Sequence, residues 1–108
     1  MSAMIVELDF SQITSALDFH EAASRVFGFP EFYGNNFHAF VDCLSSLRIP
    51  EDELTRQHLG EAEHLELRLI NFNHANEELR HDFLEAIGNV NRRYIKLDEA
   101  PALHLVPC

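Results

Sequence analysis

The sequence predicts a single α/β domain over residues 1–108, a small three-stranded parallel sheet flanked by three to four helices. Three short segments alternate apolar and polar residues, as strands do, and the segments between them repeat apolar residues at helical spacing. The resulting order is strand, two or three helices, strand, helix, strand. Because parallel strands need long crossover connections, which are usually helices, this order favours a parallel sheet. Which strand is central stays open.

The first strand and the first helix are each predicted by local signals. Residues 4–10 alternate apolar and polar side chains and should form the strand. Ser15 can cap the following helix, with Asp18 three residues later as a variant of the capping box. Gly28 then ends the helix. Its apolar residues recur at helical spacing and should face the core: Ala16, Phe19, Ala23, Val26 and Phe27.

A second helix should follow a loop that carries an aromatic residue, Phe32, and a glycine, Gly34. The glycine permits a backbone turn that most residues would resist. Asn35 or Asn36 can accept hydrogen bonds from the free N–H groups of the new helix. Apolar residues at i, i+3, i+7 and i+10 define its core face: Phe37, Phe40, Leu44 and Leu47. The opposite face carries three polar residues outward: His38, Asp42 and Ser45.

The rest of the chain supplies a short helix, two strands and the longest helix. Residues 50–60 begin with a proline, which suits the first position of a brief helix. Residues 64–71 and 102–106 alternate and are predicted as strands. The helix between them should open at Asn76 or Asn73. Its buried stripe is expected to comprise five residues: Leu79, Phe83, Ile87, Val90 and Tyr94.

The charge balance favours a basic protein partner. Eighteen acidic and eight basic side chains give a formal net charge of −10. Direct binding of nucleic acid is disfavoured, because phosphates are bound by lysine and arginine. A basic protein would instead be attracted and steered toward the surface. Solubility alone is the other reading of such a charge.

The sequence predicts a cytoplasmic protein without a membrane segment. Its longest apolar runs fall well short of the roughly 20 residues that span a bilayer. The first ten residues already include two carboxylates and lack the basic start and cleavage site of a signal peptide. The two cysteines, Cys43 and Cys108, do not make a disulfide framework.

The pattern of reactive side chains argues against an enzyme, a metal site or a cofactor. The seven histidines are scattered, and His74 and His81, which could share a helical face, do not have the spacing of a catalytic metal motif. Ser45 and Ser46 lack the setting of a nucleophile elbow, and a glycine-rich phosphate loop is absent. A metal-dependent enzyme is the least favoured alternative.

One segment resembles a known family over its whole length. Residues 18–44, DFHEAASRVFGFPEFYGNNFHAFVDCL, are similar without gaps to the helix–loop–helix of the barstar family, including the P-E-aromatic-Y-G-x-N stretch and the following D-C-L. The resemblance implies a small parallel sheet with flanking helices. It also implies a monomer that inhibits a secreted, barnase-type ribonuclease inside the producing cell, in a one-to-one complex.

The resemblance further implies which residues bind the ribonuclease. Asp42 would take the place of a substrate phosphate, since a carboxylate on a rigid helix can complete a cationic cleft with charge-assisted hydrogen bonds. Glu85, in the weaker match FLEA at 83–86, would supply a second acidic contact. Six further positions match contacts on the loop and the second helix: Phe32, Gly34, Asn36, His38, Val41 and Ser45.

Three differences from the family's type member predict a partner other than barnase itself. The type member has an acidic residue at the position of His38, tyrosine at Phe32 and tryptophan at Val41, and aromatic anchors often dominate interface energetics. Residues 48–63 also form a longer segment than the type member's equivalent. The alternative function is therefore an immunity protein on the same scaffold that neutralises a different class of bacterial toxin, recognised through this segment.

Overall fold

A computed structural model describes residues 4–108. The strands are β1 (Met4–Asp9), β2 (Leu65–Ile70) and β3 (Leu103–Pro107), and the α-helices are α1 (Ala16–Phe27), α2 (Phe37–Leu44) and α3 (Glu77–Lys96). Short 3-10 turns lie at Pro50–Asp52 and Phe72–His74. The predicted α/β class is confirmed. Each predicted strand is within two residues of the observed one at either end.

The helix count is three in the described part of the chain, and the brief fourth helix predicted over residues 50–60 does not form. Only the turn Pro50–Asp52 is helical, and Glu53 ends it in a left-handed conformation with φ of 53°. The residues that follow are held by other contacts. The backbone N–H of Arg56 donates to the carbonyl of Phe27, and that of Leu59 donates to the carbonyl of Leu47. These bonds to the end of α1 and to the turn after α2 replace a helical ladder.

The sheet is parallel throughout, with β2 between β1 and β3. Val6 of β1 lies opposite Leu67 of β2, which in turn lies opposite Leu105 of β3. Leu65, Leu67 and Leu69 of β2 are buried in alternation, and so are Val6 and Leu8 of β1, whereas Met4 at the start of β1 is exposed. The two-residue period of the sequence therefore identified the core face correctly.

Aromatic rings join the sheet and all three helices in one core. Phe10, Phe19, Phe40 and Phe83 follow β1 or lie on α1, α2 and α3, and all four are fully buried. The ring centroid of Phe83 lies 5.6 Å from those of both Phe10 and Phe19, in edge-to-face geometry that suits aromatic pairs. Because these rings fix α2 against α3, they also fix the surface between the two helices.

The helix ends follow the sequence signals closely. The hydroxyl of Ser15 accepts a hydrogen bond from the backbone of Asp18, and Asn36 and Asn76 cap α2 and α3 in the same way. Gly28 ends α1 in the left-handed conformation, with φ of 67°. Within residues 4–108, none of the helices has the length and apolar character to cross a bilayer.

A buried arginine anchors the segment of residues 48–63. The side chain of Arg48 is 5% exposed and donates to Glu99 Oε1 at 3.1 Å. It also donates to the carbonyl oxygens of Ala100 and Glu63, and its guanidinium lies 4.8 Å from the ring centroid of Tyr94. Arg48 thus ties the start of the 48–63 segment to both its end and the loop after α3.

Candidate protein-binding face

The second helix is a stiff support for its outward side chains. The Asn36 side chain accepts from the backbone N–H of Ala39 at 2.8 Å and donates to the carbonyl of Gly34 at 3.1 Å. One asparagine therefore fixes both the start of α2 and the loop before it. Phe40 and Leu44 are fully buried on the inner side of the helix. The outward side chains consequently have little freedom to shift with their backbone.

A buried hydrogen bond holds the loop that carries Phe32 and Gly34. Nδ1 of His20 on α1 and the hydroxyl of Tyr33 are joined at 2.7 Å. Burial lowers the pKa of His20 to about 4, so its ring is neutral at pH 7, and burial raises the pKa of Tyr33. Next to this anchor Phe32 is 80% exposed. The predicted aromatic contact is therefore presented to solvent on a fixed loop.

A cleft of about 550 Å³ lies between α2 and α3. Three of the residues implied by the resemblance line it: His38, Val41 and Glu85. Other lining residues come from both helices: Phe37, Asp82, Ala86, Asn89, Arg92, Arg93 and Lys96. His38 and Glu85 are exposed, whereas Val41 is buried and contributes to the wall of the cleft. Phe32, Gly34 and Asn36 lie outside it, on the loop before α2 and at its cap.

Asp42 faces outward and has a counter-ion from its own chain. Its side chain is 65% exposed, and Oδ1 accepts from Nη1 of Arg93 on α3 at 2.9 Å. The same Nη1 lies 3.3 Å from the hydroxyl of Ser45, which itself donates to the carbonyl of Val41 at 2.6 Å. The carboxylate is thus accessible, and Ser45 is tied to it through Arg93.

The face is mixed in charge rather than acidic, which sequence reasoning missed. Asp82 and Glu85 lie in the first half of α3, while Arg92, Arg93 and Lys96 lie near its end. The two arginines suit the helix dipole at that position. The signal that was available is their spacing. Glu85, Asn89 and Arg93 lie at successive intervals of four, and Arg92 and Lys96 lie three and seven residues after Asn89, so all five share one helical face.

The cysteines and the potential metal ligands do not add a chemical site to this face. Cys43 lies on the inner side of α2, where burial, and after it the charge of Asp42, raises the pKa of its thiol to about 11. It is therefore a protonated, weakly reactive thiol at neutral pH. Among residues 4–108, side chains of His, Cys, Asp and Glu do not gather in threes as ligands of a metal ion would.

Comparison with protein families gives a match to a model that describes barstar, the barnase inhibitor. It extends over residues 3–106 and so includes the sheet, all three helices and the cleft. A search of curated proteins finds no significant match.

Proposed function

The chain belongs to the barstar family, and from this premise we propose that it is a cytoplasmic, monomeric inhibitor of a barnase-type ribonuclease. The family's inhibitors act on ribonucleases, so the partner is expected to be a protein of that class. We further propose a one-to-one complex in which the α2–α3 face and the adjoining loop cover the active site of the enzyme.

The exposed carboxylate of Asp42 is the observation that carries this proposal. A ribonuclease binds a phosphodiester with cationic side chains, which need an anion to complete them. Asp42 supplies an anion on a helix whose start is fixed by Asn36 and whose inner face is fully packed. Because little freedom is lost when such a group binds, the interaction keeps most of its free energy. Glu85 in the cleft and Phe32 on the loop offer a second anion and an apolar contact.

Titration against active enzymes tests the proposal. The protein is added to a panel of purified barnase-type ribonucleases, including any encoded beside this gene, and RNA cleavage is measured at each ratio. We expect activity of at least one enzyme to fall linearly to zero at an equimolar ratio. If every member of the panel stays fully active in the presence of excess protein, the proposal is wrong.

Replacing Asp42 with Asn should weaken inhibition by ten-fold or more. The substitution keeps the shape of the side chain and removes the charge, and losing one partner of a charge pair that becomes buried in a complex typically costs about 2–5 kcal/mol. The melting temperature should change little, because an exposed ion pair contributes about 1 kcal/mol or less. Inhibition constants and thermal unfolding are measured on the same preparations.

The matched control is Glu21→Gln, which makes the same change of charge on the exposed surface of α1. It should leave inhibition within about two-fold of the wild type, because exposed charges distant from an interface act mainly through screened steering. A D42N variant that loses inhibition and melting temperature in equal measure would instead make Asp42 a structural residue.

The second candidate is an immunity protein that binds another class of toxin through residues 48–63. It is favoured by the exposure of Ile49 next to two exposed carboxylates, Glu51 and Asp52. Deleting the segment would remove buried Thr55 and Leu59, so point substitution is the better test. I49S combined with E51Q should abolish partner binding in this case, while D42N would leave it unchanged. The opposite result supports the ribonuclease inhibitor.

A further inference from the structure

Asp42 and Arg93 form an ion pair only because the fold brings them together. The two residues lie 51 positions apart and on different helices. Nη1 of Arg93 reaches two acceptors, Asp42 Oδ1 at 2.9 Å and the Ser45 hydroxyl at 3.3 Å. The hydroxyl is held in turn by the carbonyl of Val41. The guanidinium is therefore placed at the same carboxylate that the ribonuclease is proposed to bind.

The pair is accessible enough to open at small cost. Arg93 is 52% exposed and Asp42 65% exposed, so water screens their attraction and can solvate both groups when they separate. Exposed pairs of this kind change an equilibrium constant by about five-fold or less. Arg93 can therefore leave Asp42 without disturbing the packed side of either helix.

A partner's cation and Arg93 would compete for the same carboxylate. An arginine from an enzyme binds a carboxylate best through both oxygens, and Arg93 already uses Oδ1. Once a partner excludes water, two guanidinium groups on one carboxylate repel each other strongly. Arg92 and Lys96, which line the same cleft, add to that repulsion. Displacement of Arg93 relieves it.

We infer that Arg93 is an internal counter-ion that lowers the affinity of the inhibitor, because the ribonuclease must displace it from Asp42 in order to bind. This inference rests on the proposed function. It implies that the carboxylate of Asp42 is held in an ion pair in the free inhibitor, and that displacing Arg93 lowers the affinity for an enzyme by about five-fold or less.

The test compares Arg93→Gln with Arg25→Gln. Both variants remove one positive charge, but Arg25 lies in the last turn of α1 and not in the cleft. Dissociation constants are measured against the panel ribonuclease that the wild type inhibits best. We expect R93Q to bind about two- to five-fold more tightly than R25Q, which is the strength of the exposed pair. Arg93→Lys retains the charge and should remain close to the wild type.

Repeating the comparison in the Asp42→Asn variant shows whether the gain in affinity depends on the ion pair between Asp42 and Arg93. In D42N the internal counter-ion has lost its carboxylate, so adding R93Q should bring no gain beyond that of R25Q. The inference is overturned if R93Q binds more weakly than the wild type, if it merely equals R25Q, or if its gain persists in D42N. Each of these results requires a wild type that inhibits. A wild type that inhibits no ribonuclease of the panel overturns the proposed function itself, and the inference with it.

Discussion

The buried pair of His20 and Tyr33 makes the stability of the protein dependent on pH. The pKa of His20 is lowered by burial to about 4 in the folded state, while an exposed histidine has a pKa of 6.5. As the pH falls from 6.5 toward 4, His20 is protonated in the unfolded chain while it stays largely neutral in the folded chain. The free energy of unfolding should therefore decrease by about 3 kcal/mol between pH 7 and pH 4. Urea unfolding at a series of pH values measures the decrease.

His20→Asn separates this effect from that of other groups. The asparagine amide can still form a hydrogen bond with the Tyr33 hydroxyl, but it does not titrate, so the slope between pH 6.5 and pH 4 should largely disappear. Destabilisation below pH 4 should remain. Hydrogen bonds lower the pKa values of Asp9, mainly from the backbone of Ser11, and of Asp18, mainly from the hydroxyl of Thr14. Stability that depends on these carboxylates is lost only as they are protonated. An unchanged slope in the variant would contradict this role of His20.

At the scale of single elements, a glycine at the end of α1 and a glycine within α3 should respond to alanine in opposite directions. Gly28 has φ of 67°, and a Cβ atom there would lie 2.9 Å from Cβ of Arg56. Gly28→Ala should destabilise the protein by about 1–2 kcal/mol, the cost of the left-handed conformation for an L-residue. Gly88 lies within α3, where the nearest obstacle is the flexible end of Arg92 at 3.3 Å. Gly88→Ala should stabilise by up to about 1 kcal/mol through helix propensity.

Thermal and urea unfolding of the two alanine variants provide the measurement. Their comparison is internally controlled, because each adds a single methyl group at a glycine. Equal effects of the same sign would show that α1 does not depend on its left-handed end.

The loss of Arg48, which holds the 48–63 segment, should lower the free energy of unfolding far more than the loss of Arg93 on the α2–α3 face. Arg48 is buried and satisfies two carbonyl groups and Glu99, so Arg48→Met leaves these groups without their donor. Breaking a buried pair from one side is expected to cost about 3 kcal/mol. R93Q, which breaks an exposed pair, should cost about 1 kcal/mol or less. Urea unfolding of both variants checks the difference, and similar losses would contradict it.

At the scale of the whole molecule, the sequence predicts contacts between residues a few positions apart and leaves open those between residues far apart in the chain. The cap at Ser15 and the stripe of α3 depend on residues three or four positions apart, so a one-dimensional pattern contains them. The position of β2 at the centre of the sheet depends on pairing between segments far apart in the chain. The same holds for Arg93 beside Asp42. The sequence therefore predicted the outward direction of Asp42 but not its counter-ion.

Arg48 and Pro50 each have a role in the fold that differs from the usual role of their residue type. Arg48 reads as a surface residue at the start of a polar segment, since arginines are mostly exposed. Only the fold shows that three acceptors converge on it. Pro50 favours a helix start, yet backbone bonds from Arg56 and Leu59 to other elements hold the segment in a different conformation. Tertiary contacts here outweigh a local propensity, as they commonly do.

The central position of β2 also has a consequence for the order in which the protein can fold. Asp9 and Leu65 bound the long connection between β1 and β2, so β1 cannot find its neighbour until both helices of that connection have been synthesised. Such distant pairing requires loop-closure entropy to be lost before any contact compensates for it, which slows folding. α2 is held rigid by its packing against α3, and α3 follows β2 in the chain. A nascent chain that ends before α3 therefore has no completed surface with which to capture an enzyme.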